Sequence, residues 1–148
     1  MRLDNYFITF TNNLAYLDLK EDADYDLLND LPLPIYVNDM QEGILSGSMD
    51  EKINLENFLQ GMLINIGADP DFIHAEEYKS ILANYIADIS KYTSSTALNF
   101  ADEDINKALL LLRAGYILNP SDNYNAYLFA RLLWPRAFEV ENEFKEDF

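Results

Sequence analysis

The chain has no cysteine. That excludes a disulfide framework, a thiolate nucleophile and a cysteine-type zinc site. Histidine occurs once, at His74, so a Ser-His-Asp triad would need that residue to reach a serine that no motif marks. A glycine-rich phosphate cradle and a G-x-S-x-G elbow are both missing. Apolar runs are short: Ala108–Leu112 falls far below the roughly 20 residues that a bilayer span needs. The N-terminal MRLDNYFITF carries Asp4 and no long apolar stretch, so it does not read as a secretory signal. Basic residues are scarce, ten against 26 acidic ones, for a net charge of −16. Such a field argues against a phosphate backbone or an anionic membrane as partner. It would attract a basic protein or peptide. The plainer alternative is that acidity keeps the chain in solution. Taken together, these absences lead us to expect a cytoplasmic protein that is not an enzyme and holds no cofactor.

Against these absences stand 49% apolar and 14% aromatic residues over 148 positions, enough to bury a core in one domain. The expected fold is all-α, an antiparallel array of helical hairpins. Residues 1–50 form a less regular segment, 51–134 the hairpins and 135–148 a C-terminal helix. In the first part, Tyr6, Phe7, Phe10, Leu14 and Leu17 lie on one helical face, which suggests a helix over Asn5–Leu19 capped by Asp4. Ile8, Thr9 and Thr11 also permit a short strand. Pro32 and Pro34 block helix, Ile35–Val37 has extended character, and Gly43 to Ser48 mark a loop. A short helix near Tyr25–Leu31 and an arm packed on the helical body are the two readings of the acidic stretch before them.

From Leu55 the helical period returns through Phe58, Leu59, Met62, Leu63 and Ile66, with Asn54 as cap and Gly67 as stop. Asp69-Pro70 reads as a cap followed by a first-turn proline. A long helix is then expected from Phe72 to about Leu98, weakened by Thr93 to Thr96. Asp102 is placed to open the next helix, which carries Ile105, Ala108, Leu109, Leu112, Tyr116 and Ile117. Asn119-Pro120 ends it, and Ser121-Asp122 opens a last helix to Trp134, where Pro135 stops the chain. Beyond it, Val140, Phe144 and Phe148 form a narrow apolar stripe, a surface on which a homodimer could form.

Ala108-x₃-Leu112, then Pro120, then Ala126, Phe129, Ala130 and Leu133 follow the small/large register of a helical hairpin. Over Ile105–Trp134 the chain resembles the tetratricopeptide repeat family. It departs from that pattern where Ala126 replaces the large aromatic and where Ser95 and Thr96 replace the Leu-Gly pair, so the likeness is to a divergent stack. The resemblance implies that small Ala108, Ala114, Gly115 and Ala130 let helices approach closely while Leu112 and Phe129 fill the gaps. It also implies a binding scaffold whose first-helix face carries Tyr124, Tyr127, Arg131 and Trp134. These residue types dominate interface hot spots, and Arg131 suits a carboxylate. The competing assignment puts Tyr127 and Trp134 in the core.

Two other constellations carry potential metal ligands. Asp71, His74 and Glu77 put three potential metal ligands on one helical face. One helix seldom brings three ligands to one ion, so an exposed first-turn histidine is the expectation, and a carboxylate- or metal-dependent hydrolase is the least favoured function. Asp22, Asp24 and Asp26 begin like a calcium loop, but Leu27 and Leu33 stand where its glycine and closing glutamate belong. The expected function is a protein-interaction module. The alternative is an acidic antagonist, an immunity-type protein or nucleic-acid mimic that covers a basic partner.

Overall fold

A computed structural model of the chain describes residues 3–17, 31–38 and 55–136. Six α-helices make up most of it: α1 (Leu3–Phe7), α2 (Leu55–Ala68), α3 (Ala75–Tyr85), α4 (Ile89–Phe100), α5 (Ile105–Leu118) and α6 (Asn123–Leu133). A two-stranded antiparallel sheet joins them, β1 (Leu14–Leu17) with β2 (Leu33–Tyr36), in the register Leu14↔Tyr36 to Leu17↔Leu33. None of the described helices is long and apolar enough to cross a membrane.

Helix α5 is the centre. Every residue from Lys107 to Gly115 is buried, as expected of a helix apolar on all sides. Helices α2, α4 and α6 surround it. Four-residue links, 101–104 and 119–122, join α4 to α5 and α5 to α6, short enough that each helix folds back on the one before. Each of these helices starts at an aspartate whose carboxylate accepts a backbone N–H: Asp88 from Lys91, Asp104 from Lys107 and Asp122 from Tyr124. These caps satisfy donors the helix itself leaves open.

Glycines let α2 come close to its neighbours on two sides. A Cβ on Gly61 would stand 1.9 Å from the Pro34 carbonyl oxygen of β2, and one on Gly67 would stand 2.2 Å from that of Leu110 in α5. Gly67 therefore lies inside α2 rather than ending it, because its missing side chain serves the crossing with α5.

The first segment departs from the expected single helix over Asn5–Leu19. After α1 the chain tightens into a 3₁₀ stretch, Ile8–Asn13, and leaves as β1. The hydroxyls of Thr9 and Thr11 donate back to the carbonyls of Tyr6 and Ile8 at 2.6 and 2.8 Å, which competes with α-helical pairing. Asp4 lies within α1, and its carboxylate pairs with Arg113 of α5. The extended character of Ile35 and Tyr36 is borne out in β2, whereas Val37 is already helical.

Further along, the expected long helix from Phe72 to Leu98 is two helices. Ile86 turns extended (φ −121°, ψ 113°), and Asp88 caps a fresh start. Asp69-Pro70 sits in a turn ahead of α3, which begins only after His74. Asp104, not Asp102, opens α5. Helix α6 ends at Leu133 and tightens into a 3₁₀ turn, Trp134–Arg136. Asn54, Asp22, Asp24, Asp26, the helix near Tyr25, the Gly43–Ser48 loop and the 137–148 stripe lie outside the described residues.

Several buried polar groups are tied together. Asn125 of α6 accepts from the Thr93 hydroxyl at 2.8 Å and donates to the Ser90 carbonyl at 3.1 Å. Threonine and serine in α4 thus hold α6 rather than weakening their own helix. Arg113, only 5% exposed, donates through Nε to the Gly67 carbonyl at 2.7 Å and lies over the Phe7 ring. Lys107, 2% exposed, places its ammonium 3.7 Å from the centre of the Phe100 ring, a cation–π contact that offsets part of its burial.

Candidate functional site

Helix α6 has two contrasting sides. Asn125, Leu128, Phe129 and Leu133 are buried against the body, where Phe129 meets the rings of Phe7 and Tyr116 at 5.6 and 5.8 Å. Tyr124 and Tyr127, and Trp134 just beyond the helix, face outward at 50%, 54% and 82% exposure, with Arg131 exposed among them. Tyr127 and Trp134 are therefore not core residues. Their spacing of three and four keeps all four on one face.

The Arg131 guanidinium donates through Nη1 to the Tyr127 hydroxyl at 2.9 Å. This bond lays Arg131 across the preceding turn. Arg131 also sits in the last turn of α6, where the helix dipole favours a cation. Ala130 is exposed between Tyr127 and Trp134. Ala108, Ala114 and Gly115 are buried as expected of close-approach residues, but Ala130 is not. Its small side chain instead leaves a low floor between two large rings. At 1.5 Å per residue those rings rise from the helix about 10 Å apart along its axis.

A second concavity lies between the start of α2 and the corner joining α3 to α4. It is an open groove of about 710 Å³ whose apolar lining comes from Leu55, Leu59, Tyr85, Ile86 and Tyr92. At its wall the Tyr92 hydroxyl donates to Glu56 at 3.2 Å and accepts from the Gln60 amide at 3.3 Å. Burial, with the Glu56 charge adding to it, raises the Tyr92 pKa. Sequence reading missed this groove because it forms where the expected long helix breaks.

His74 does not gather the ligands its spacing suggested. Its Nδ1 stands 3.9 Å from Glu77, and its ring meets Phe72 edge-on at 5.7 Å. Partly buried, His74 completes an aromatic cluster with Phe72, Tyr78 and Tyr16 rather than standing exposed in a first turn. Among the described residues, no three of His, Cys, Asp and Glu are grouped closely enough to hold a metal ion.

Compared with protein-family models, curated proteins and solved structures, the chain matches none.

Proposed function

We propose that this protein is a non-enzymatic binding module, a divergent tetratricopeptide-like scaffold that engages a protein or peptide partner through the outer face of α6. The observation that carries this reading is the exposure of Tyr124, Tyr127, Arg131 and Trp134 on one face of a helix whose other face is anchored in the core. Large amphipathic rings beside an arginine supply contact area at low entropic cost. The test is a pull-down with wild type and the Tyr127→Ala/Arg131→Glu double variant, controlled by helicity and melting. Loss of a partner from a variant that folds and melts normally is expected. Retention of every partner would overturn the reading.

A second reading, an acidic antagonist of a basic protein, is favoured by the net charge of −16. It requires an affinity that falls steeply with ionic strength, and a salt-independent binding constant would end it.

A further inference from the structure

The acidity of the chain is not spread evenly. Helices α4, α5 and α6 contain no aspartate or glutamate within their bounds. Asp88, Asp104 and Asp122 stand just ahead of them, with carboxylates turned to backbone amides. Residues 105–136 hold one acidic and four basic residues, which leaves 25 acidic and six basic residues for the rest of the chain. Lys107 and Arg113 are buried, so the charge that the aromatic face of α6 presents is that of Arg131, a single exposed cation on an anionic molecule. Arg131 meets no carboxylate among the described residues; its bond is to the Tyr127 hydroxyl.

We infer that the α6 face receives an acidic amphipathic segment of a partner protein, with apolar side chains seated over Ala130 between Tyr127 and Trp134 and a carboxylate on Arg131. The inference rests on the binding-module reading above and names the partner's chemistry, opposite in sign to what the net charge suggests. Two physical points decide between them. At physiological ionic strength charges are screened beyond about 8 Å, so within contact range the partner meets Arg131 rather than the whole-molecule field. A guanidinium already held by a tyrosine hydroxyl loses less freedom on pairing than a free side chain does, and its planar fork matches a carboxylate. A basic segment would instead bring a like charge onto Arg131, which costs affinity.

The test uses the full chain and three labelled helical peptides read by fluorescence anisotropy at physiological salt. All three share one leucine/phenylalanine stripe and differ elsewhere, one carrying glutamate, one glutamine and one lysine. The glutamate peptide is expected to bind at least about tenfold more tightly than the glutamine peptide, since charge-assisted hydrogen bonds are roughly twice as strong as neutral ones. Arg131→Glu and the milder Arg131→Gln should abolish that difference, while Tyr127→Ala and Trp134→Ala weaken both peptides. Equal binding of the glutamate and glutamine peptides, still weakened by Tyr127→Ala, would overturn the acidic partner and leave the module reading standing. A lysine peptide that binds most tightly, and loses affinity in Tyr127→Ala, would do the same. Binding of any peptide that ignores Tyr127→Ala and Trp134→Ala, or no binding at all, would overturn the inference, and the former would count against the face itself.

Discussion

Gly67 shows how much one missing methyl group determines here. The Leu110 carbonyl oxygen occupies the space a side chain would need, 2.2 Å from an ideal Cβ, and both partners are backbone of helices held on several sides. Neither can yield cheaply, so Gly67→Ala is expected to destabilise the fold by about 3 kcal/mol, the upper range for overpacking. Urea denaturation would measure it, and an unchanged midpoint would contradict the crossing. The same carbonyl group of Gly67 accepts from Arg113, so one residue supplies both the gap and the acceptor at the α2–α5 contact. Arg113 in turn reaches Asp4, which fastens the N-terminal segment to the central helix.

Among the elements, α4, α5 and α6 depend on their aspartates. Replacing Asp88, Asp104 or Asp122 by alanine should each cost about 1 kcal/mol, read as separate shifts in the denaturation midpoint. A variant without such a shift would show that its helix is held by packing alone. These caps also explain what could be read in the chain and what could not. Helices α5 and α6 were legible because Asn119-Pro120 and Asp122 punctuate a clear apolar period. The break between α3 and α4 was not, because Tyr85, Ile86 and Ile89 continue the same period through it. The signal was there: Asp88-Ile89-Ser90-Lys91 and Asp104-Ile105-Asn106-Lys107 share a D-I-x-K pattern, and each aspartate caps the amide of its lysine. Strand β1 was hidden because Leu14 and Leu17 also fit a helical face, and its partner β2 lies beyond an acidic stretch with no hairpin signal. The types of the α6 residues were legible. Their exposure was not, since Tyr127 and Trp134 suit a core equally well.

For the whole molecule, tyrosine burial sets an alkaline limit. Burial raises the pKa of Tyr78, Tyr16 and Tyr92 above the ordinary 10.0, helped at Tyr16 by the Asp69 charge. The unfolded chain loses these protons near the ordinary value while the folded chain keeps them. Their contribution to stability is therefore complete below about pH 10 and is lost as pH rises through the higher folded values. Denaturation midpoints should hold up to about pH 10 and fall as pH rises above it, and phenolate absorbance should show part of the tyrosines ionising only as the helices melt. Ionisation of all tyrosines in one early step, with helicity retained, would contradict the burial.

The clasp between α1 and the central helix α5 has a consequence for the order in which the fold is made. Asp4 and Arg113 are 109 residues apart, and Tyr6 meets Asn106 across 100. The links within α4–α6 are four residues long. Closing a long loop loses chain entropy before any contact rewards it, whereas a short turn loses little. The three C-terminal helices therefore have the quicker route to one another, and the N-terminal segment, whose contacts with α5 span the longest separations, is expected to close after them.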